Sequence, residues 1–365
     1  ADSEAGGRAR ASDGRAAERE RERGSKRLTV GGREVCTLEE AAALGGLREL
    51  AYEQHGCRFL QEALEHAPAK ALGQLLEPLL PELPRLMVDP FANYLVQKMV
   101  HYASAEHQLL MVQAIAPSLP EIALNVHGTR AVQRLLECVR GEKAESLVAA
   151  ALAPRVHELM RDLHANHVVQ RCVATLTSGR NAFVFEAVSR ALVEVGTHRH
   201  GCCVLQRCLD NAAGATRTNL VDSVIEHTRA LIADQFGNYI VQYILQLHEA
   251  KLTRRVVHAI AGSVAELACE KFSSNVIEKC LTSGDQIACS LVIAELLEPA
   301  ALGRLLHDPY GNYVVQRMLQ VATEAEQKLM LERVAAHGPS LRNTLYGKRF
   351  QAKLLKQFPG HRTGD

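Results

Sequence analysis

Residues 236–242 have the sequence FGNYIVQ, and this seven-residue pattern occurs eight times along the 365-residue chain. We call the pattern the signature and number its positions one to seven. The third positions are residues 57, 93, 129, 166, 202, 238, 274 and 312, which are 36 to 38 residues apart. So even a period is typical of a solenoid, in which each repeat packs on its neighbours. The copies are HGCRFLQ from His55, FANYLVQ from Phe91, HGTRAVQ from His127, HANHVVQ from His164, HGCCVLQ from His200, FGNYIVQ from Phe236, FSSNVIE from Phe272 and YGNYVVQ from Tyr310.

The stretches between the copies have the pattern of short helices. Residues 107–125, HQLLMVQAIAPSLPEIALN, carry apolar residues at helical spacing, and their Pro residues indicate turns. Each repeat is therefore expected to contain about three helices, and the signature begins one of them. The second signature position is always Gly, Ala or Ser, which indicates a close approach of the neighbouring repeat. A chain with 47% hydrophobic residues and no Trp is suited to helices packed through aliphatic side chains. The predicted fold is an all-α solenoid of eight three-helix repeats.

The two ends of the chain differ from the repeats. Residues 1–28 form an Arg/Glu-rich segment with almost no large apolar side chains, so we expect a disordered tail. Residues 29–54 and 318–358 resemble imperfect half-repeats, which solenoids need to cover their terminal cores. The predicted domain spans residues 29–358, and residues 359–365 are a short tail.

Charge and cysteine content exclude several classes of protein. The net charge is +1, from 42 basic and 41 acidic residues, so any basic surface must be local. The ten cysteines contain no CxxC pair and no secretory segment is evident, which indicates reduced thiols in an intracellular protein. No apolar run approaches the roughly 20 residues of a membrane span, and no membrane association is expected.

The signature helix has one aliphatic and one polar side. On a helix of 3.6 residues per turn, Asn93, Tyr94 and Gln97 fall within about 100° of one another, whereas Leu95 and Met99 point the opposite way. Repeated eight times, the polar side gives a row of side-chain pairs, each with a flat or cationic neighbour. Single-stranded RNA matches such a row, because it supplies one planar base with a hydrogen-bonding edge at each step.

The candidate base contacts occupy the third, fourth and seventh positions. The predicted base-edge pairs are Cys57 with Gln61, Asn93 with Gln97, Thr129 with Gln133, Asn166 with Gln170, Cys202 with Gln206, Asn238 with Gln242, Ser274 with Glu278 and Asn312 with Gln316. The predicted stacking residues, at the fourth positions, are Arg58, Tyr94, Arg130, His167, Cys203, Tyr239, Asn275 and Tyr313.

The chemistry of these pairs differs between copies. Asn with Gln supplies amide donors and acceptors that match the alternating edge of uracil. Cys with Gln is better suited to adenine, and the carboxylate of Glu278 can accept both the N1–H and the N2–H of guanine. Planar side chains at the fourth position can stack between successive bases.

These signatures resemble the repeats of the Pumilio (PUF) family, with NYxVQ, NHVVQ and SNVIE in the family's order and all eight copies in register. The resemblance implies a right-handed crescent with RNA on the concave face, bound antiparallel so that the last repeat takes the 5′ base. The family's code then implies the element 5′-UGUAUAUA-3′. Thr129, in place of the usual Cys or Ser, and Cys203, in place of the commoner Arg, depart from the pattern at the sixth and fourth bases.

The resemblance also implies a biological role. Proteins of this family bind messenger RNA 3′ untranslated regions and regulate translation or decay. We therefore expect a cytoplasmic monomer with no cofactor and no enzymatic activity, whose convex face could bind translational repressor or deadenylase proteins.

Several alternatives stay open at this point. A protein-binding solenoid of the armadillo or HEAT type would explain the helices but not Glu278, and a family subtype acting on ribosomal RNA precursors usually has a degraded code. His198, His200, Cys202 and Cys203 resemble a zinc cluster in composition, but the repeat register explains them and no metal site is expected. Basic residues that follow the signature could contact phosphates or form a solvated helix edge: Lys98, Arg134, Arg171, Arg207, Lys279 and Arg317.

Overall fold

The computed structural model describes residues 28–337, 341 and 345–357. The predicted tails, apart from Leu28, lie outside the described residues. The chain forms two compact units, one built from residues up to 155 with 175–180, and the other from 156–174 with the residues from 181 onward. The first three signatures lie in the first unit, and the last five begin in the second.

The first unit opens with a small hairpin and then becomes helical. Strand β1, Thr29–Val30, pairs antiparallel with strand β2, Arg33–Glu34. A helix follows at Leu38–Ala43, where Thr37 and Glu40 form a reciprocal capping box. The amino-terminal half-repeat therefore contains a hairpin that its sequence did not predict.

Each repeat contains a short helix, a signature helix and a following helix. In the first unit the short helices are Leu47–Tyr52, Leu83–Val88 and Leu119–Leu124; the signature helices are Gln54–His66, Ala92–Tyr102 and Gly128–Cys138; the following helices are Pro68–Leu79, Ala105–Ile115 and Glu142–Leu152. The 3₁₀ turns Leu80–Glu82, Ala116–Ser118 and Ala153–Arg155 come directly after these following helices.

The second unit repeats the same order. Its short helices are Val156–Arg161, Leu192–Gly196, Thr228–Ile232, Val264–Leu267 and Pro299–His307. Its signature helices are Ala165–Thr175, Gly201–Asn211, Gly237–Gln246, Ser273–Leu281 and Gly311–Val321. Thr175, the last residue of the first of these, is grouped with the first unit. Its following helices are Ala182–Arg190, Gly214–Glu226, Ala250–Ile260, Gln286–Leu296 and Glu324–Ala335, and a final helix spans Leu345–Gln357. The predicted all-α fold of three-helix repeats is confirmed.

Aliphatic side chains of the signature helices form the core. Leu95 and Met99 are completely buried, as the helical pattern predicted, and so is Val96. Consecutive signature helices pack on one another from the first copy to the third and from the fifth to the eighth. All ten cysteines are unpaired. Burial raises the pKa of Cys172 and Cys280 to about 12, so these thiols act as small apolar core residues.

The small residue at the second signature position has a steric cause. A Cβ on Gly128 would lie 2.3 Å from the backbone oxygen of Ile122, six residues earlier in the short helix. Ser273 uses the same proximity differently, since its hydroxyl donates to the Leu267 carbonyl at 2.7 Å. We expected the close approach to come from a neighbouring repeat; it comes from the short helix of the same repeat.

Among the described residues, no helix combines the length and the apolar character needed to cross a lipid bilayer.

Candidate nucleic-acid interface

The fourth signature position is solvent-exposed in every copy. The aromatic side chains are prominent among them, because Tyr239 is 61% exposed, Tyr94 58% and Tyr313 49%. The other five fourth-position residues, Arg58, Arg130, His167, Cys203 and Asn275, are also exposed. A tyrosine left this open on a well-packed helix offers its face to a planar ligand.

The third position is more buried than its place on the polar side of the helix predicted. Asn93, Asn166, Asn238 and Asn312 are each only 2% exposed. Cys57, Thr129 and Ser274 are also buried, whereas Cys202 is half-buried. A place on the polar side of the helix does not make this position exposed, because in the Asn copies the loop before the helix folds against the side chain.

Four copies share one hydrogen-bond network at this position. In the sixth copy, Asn238 Nδ2 donates to the backbone oxygens of Asp234 at 2.9 Å and Gln235 at 3.0 Å. Its Oδ1 accepts from Gln242 Nε2 at 2.7 Å. The second, fourth and eighth copies make the same three bonds, through Asn93, Asn166 and Asn312.

This network orients the seventh-position amide. Because the nitrogen of Gln242 is directed toward Asn238, the carbonyl oxygen is the end directed away from it. A carbonyl acceptor beside a remaining N–H donor complements the donor and acceptor edge of uracil. The direct base contact that we predicted for Asn238 stays a prediction; the structure shows that it positions Gln242.

The seventh position is not presented uniformly, contrary to the even polar row that the sequence predicted. Gln316 is buried, because Lys353 of the final helix reaches its Oε1, whereas Gln206 is exposed. The other six residues at this position are half-buried: Gln61, Gln97, Gln133, Gln170, Gln242 and Glu278. In the eighth copy a contact from the final helix therefore reduces how much of the seventh side chain a base could reach.

The fourth and fifth copies show the two extremes of support for this residue. Gln170 Nε2 donates to Asn166 Oδ1 at 2.9 Å, so one end of the Gln170 amide is already engaged within the protein. In the fifth copy Cys202 Sγ donates to the Arg199 carbonyl at 3.4 Å instead, and within the described part of the chain no hydrogen bond holds Gln206. The direct base contacts predicted for Gln170 and Gln206 stay predictions, and only Gln170 is positioned in advance.

Two copies that lack Asn keep the bond to the seventh position. Gln61 Nε2 donates to Cys57 Sγ at 3.2 Å, and Gln133 Nε2 donates to Thr129 Oγ1 at 3.2 Å. Cys57 Sγ also donates to the Phe91 carbonyl at 3.2 Å, which links the first copy to the second. In these two copies the glutamine is therefore held in place even though the third residue is small.

The seventh copy carries a charged pair at its seventh position. The Glu278 side chain is 28% exposed, and Arg317 Nε of the eighth copy lies 3.5 Å from Glu278 Oε2. Ser274 is buried and donates to the Lys271 carbonyl at 3.4 Å. Among the predicted base-edge residues, Glu278 alone has a carboxylate, and it remains accessible to a ligand.

A capping residue two positions before the signature escaped sequence analysis. Asp89 Oδ1 accepts the backbone N–H groups of Phe91 and Ala92, both at 2.8 Å, and Asn125 does the same for the third copy. The equivalent residues Asp162, Asp234 and Asp308 cap the fourth, sixth and eighth copies. The sequence signal was available, because Asp or Asn is the preferred residue at helix starts.

In the fifth copy, His198 takes the place of the capping aspartate. Its Nδ1 accepts the backbone N–H groups of His200 at 3.2 Å and Gly201 at 3.3 Å. Burial, with Arg161 and His200 nearby, lowers the pKa of His198 and keeps its ring neutral. No group of three or more potential metal ligands comes together among the described residues, and His198 has a structural role instead.

The two adjacent thiols of the fifth copy differ in exposure. Cys203 is exposed at the fourth position, and Cys202 is half-buried behind it. The interaction between these neighbouring thiols raises the pKa of Cys202 and lowers the pKa of Cys203. Since a thiol has no planar face, this copy offers a weaker stacking surface than its neighbours.

The residue after the signature connects adjacent copies in several repeats. Lys98 forms an ion pair with Glu65 of the preceding copy, and Arg134 Nη2 lies 3.0 Å from His101 Nδ1. Tyr243 occupies the same position and donates to Asp210 at 2.5 Å. In these copies the residue joins one signature helix to the next, and the phosphate contacts considered for the basic residues stay a prediction.

A sequence model described as the Pumilio-family RNA binding repeat matches residues 118–150, 155–189, 192–225, 227–247, 263–297 and 304–335. The chain belongs to the Pumilio family. A second model, described as a NOP9-like PUF repeat domain, matches residues 27–127, so the Pumilio repeats cover most of the chain. The predicted family is confirmed.

Pumilio proteins of known sequence and structure are similar over most of this chain. It is 38% identical over 84% of its length to a Pumilio domain-containing protein of Schizosaccharomyces pombe, covering 45% of that protein. It is 36% identical over 86% of its length to Pumilio homolog 12 of Arabidopsis thaliana, covering 53% of it. The chain therefore spans about half the length of the curated relatives it matches.

A solved Pumilio structure shares the fold closely. The Puf4 RNA binding domain, bound to the HO endonuclease RNA 3′ UTR recognition sequence, is 38% identical, with a TM-score of 0.77, and the match covers 83% of this chain and 97% of that one. A Puf4 mutant bound to the Cox17 RNA 3′ UTR sequence is 37% identical, with coverage of 84% and 97% and the same TM-score. That mutant changes a threonine to cysteine and a cysteine to arginine, 74 positions apart in its own numbering. Thr129 and Cys203 have the same separation (203 − 129 = 74).

Proposed function

We propose that this chain is a sequence-specific, single-stranded RNA-binding protein that acts by binding and not by catalysis. One observation carries the proposal. In each copy an exposed fourth-position side chain stands beside a seventh-position amide or carboxylate, and in six copies a hydrogen bond from the third position holds that amide in place. The arrangement suits one unpaired base per repeat, stacked on its face and recognised at its edge. The Pumilio domains bound to RNA in solved structures support it.

The preferred element under this proposal resembles 5′-UGUAUAUA-3′. Glu278 accepts the two donors of guanine at the second base. The Asn and Gln pairs of the second, fourth and sixth copies take uracil, because the fixed asparagine turns the glutamine carbonyl toward the uracil N3–H. The same pair in the eighth copy is assigned uracil by the code, although Lys353 already donates to the Gln316 carbonyl there. The first, third and fifth copies take adenine. Thr129 weakens the recognition of the sixth base. Cys203, together with Gln206, which no third-position residue holds, weakens the binding of the fourth base.

The biological role that we propose is regulation of messenger RNA. The Puf4 structure contains a 3′ UTR recognition sequence, and the proposed targets of this chain are elements of the same kind. The protein would act in the cytoplasm as a monomer, and would change translation or decay by recruiting repressor or deadenylase proteins to its outer helices.

Fluorescence anisotropy with labelled octamers tests the proposal. The set contains UGUAUAUA, the eight RNAs that each carry one transversion, and a scrambled octamer. Loss of a base-edge contact should weaken binding by about 5- to 150-fold, the equivalent of about 1–3 kcal/mol. Equal affinity for UGUAUAUA and the scrambled RNA would overturn sequence-specific binding. An absence of any RNA affinity would favour a protein-binding solenoid.

A further inference from the structure

The chain contains a ninth signature that the sequence pattern conceals. Residues 346–352 have the sequence YGKRFQA, and Lys348 lies 36 residues after the third position of the eighth copy (348 − 312 = 36). The segment keeps the ring and the glycine but has lost Asn, Tyr and Gln at the third, fourth and seventh positions. It therefore looked like a closing half-repeat.

The backbone of this segment packs as a true copy does. A Cβ on Gly347 would lie 2.3 Å from the backbone oxygen of Leu341, six residues earlier, just as Gly311 closely approaches Leu305. At the fifth position Phe350 is completely buried, as Val314 is in the eighth copy. The helix Leu345–Gln357 packs on the signature helix of the eighth copy.

The ninth segment also continues the contacts between copies. Arg317, directly after the eighth signature, pairs with the seventh-position Glu278 of the copy before it. Lys353, directly after the ninth signature, donates a hydrogen bond to Oε1 of the seventh-position Gln316. The two contacts occupy equivalent positions, so the row of recognition positions extends one step beyond the eighth copy.

The chemistry exposed at this extra step is cationic. Lys348 and Arg349 occupy the third and fourth positions and are exposed, in contrast with the buried Asn312 of the eighth copy. The seventh position is Ala352, which has no group for recognising a base edge. Lys353 and Lys356 add two further positive charges along the same helix. Within the described residues, no acidic side chain pairs with Lys348, Arg349 or Lys356.

We propose that the ninth copy binds the phosphodiester backbone of the nucleotides immediately 5′ of the recognised element, without recognising their bases. This inference rests on the proposed function, since the eighth copy takes the 5′ base only if RNA lies antiparallel to the chain. A strand leaving the eighth copy in that direction passes Lys348 and Arg349. Exposed cations with no edge-recognising partner bind phosphate regardless of sequence.

The test compares octamer RNA with the same RNA extended by two nucleotides at the 5′ or the 3′ end. Wild-type protein should bind the 5′-extended RNA several-fold more tightly than the octamer at low salt, and the 3′-extended RNA no more tightly. The slope of log affinity against log salt should steepen by about 0.7 for each phosphate bound. The variant K348A/R349A should lose this additional affinity for the 5′-extended RNA, which we call the 5′ gain, and should keep its affinity for the octamer.

Matched controls identify the chemical group that is bound. The variant R190A/K251A removes two exposed positive charges from following helices of the same unit and should keep the 5′ gain. An abasic 5′ extension should retain the gain, and an uncharged methylphosphonate extension should lose it. Loss of the gain with the abasic RNA, or its persistence in K348A/R349A, would overturn the proposal. If the protein binds the octamer but binds the 5′-extended RNA no more tightly, only this inference is contradicted. If it fails to bind the octamer, the proposed function is contradicted as well.

Discussion

The guanidinium of Arg317 lies 3.5 Å from the carboxylate of Glu278, joining the seventh and eighth copies at the position where we expect the second base of the RNA. The pair is partly exposed, so its contribution to stability is small. Its importance is geometric, because Arg317 contacts the carboxylate and still leaves it 28% exposed to a ligand.

Replacing Glu278 by Gln should abolish the preference for guanine at the second base. A neutral amide presents one acceptor and one donor, so it cannot accept both guanine donors. Competition with RNAs carrying each of the four bases at that position measures the preference, which should fall by about 5- to 150-fold. Glu226→Gln, an exposed change at the end of a following helix, is the control. A variant that still selects guanine would contradict the assignment.

Replacing Tyr239 by Ala should weaken binding to all RNAs to a similar degree. The exposed ring provides a stacking face, whose removal costs about 1–3 kcal/mol whichever base is present. Affinities for UGUAUAUA and for two singly substituted octamers would be measured side by side. Tyr239→Phe keeps the ring and should bind nearly as wild type. An effect restricted to one base identity would rule out stacking.

Asn238→Ala and Gln242→Ala should separate positioning from recognition. Removing the Asn238 side chain leaves the Gln235 carbonyl without its donor and the Asp234 carbonyl with only the backbone N–H of residue 238, which should lower the free energy of unfolding by about 1–3 kcal/mol. Gln242 is half-buried and its removal leaves only Asn238 Oδ1 without its donor, so its loss should lower the free energy of unfolding by less than the loss of Asn238. Both variants should lose uracil preference at the third base. Urea unfolding and octamer competition give the two measurements, and equal stability of both variants would contradict a positioning role.

The double variant T129C/C203R should bind UGUAUAUA more tightly than the wild type. Arg at position 203 supplies a planar stacking face, and Cys at position 129 gives the adenine site the smaller apolar group. We expect a gain of about 5-fold or more, the lower limit for one added stack. Each single variant serves as a control for the other. Unchanged or weaker binding would show that these departures do not limit affinity for this element.

His198 should make stability depend on pH in a way that an aspartate cap would not. The pKa of His198 is lowered in the folded state. The stability that the neutral ring contributes is therefore fully present at pH values above the ordinary pKa of about 6.5, and it is lost as the pH falls through the folded-state pKa. Protonation removes the acceptor for the N–H groups of His200 and Gly201. His198→Asp should therefore gain stability over wild type at pH 5.5 and less at pH 8, as measured by urea unfolding. An equal difference at both pH values would contradict this account, and His198→Asn provides a neutral cap for comparison.

The repeat period predicted most of the fold and which signature residues are exposed at the fourth position, whereas the residues that contact RNA stay a prediction. Aliphatic positions such as Leu95 and Val96 are buried and fourth positions such as Tyr94 are exposed, as a helical period requires. Burial at the third position was not predictable, since it depends on the path of the loop before the helix. The uneven exposure of Gln170 and Gln206 was missed for a related reason, because it depends on which third residue binds the amide. The ninth copy was missed because the signature was recognised by its polar residues, which this copy has lost. What it shares with the other copies is the close approach of a small residue, Gly347, to the backbone six residues earlier.

The close approach between each signature helix and the short helix before it has one more consequence. A larger side chain at Gly237 would meet the Leu231 carbonyl at 2.6 Å and force the two helices apart. Displacing one helix would shift Tyr239 and Gln242 relative to the equivalent residues of the copies on either side. Ala92, Ala165 and Ser273 fit at the same position in other copies, so only a side chain larger than these would change the spacing between neighbouring recognition positions.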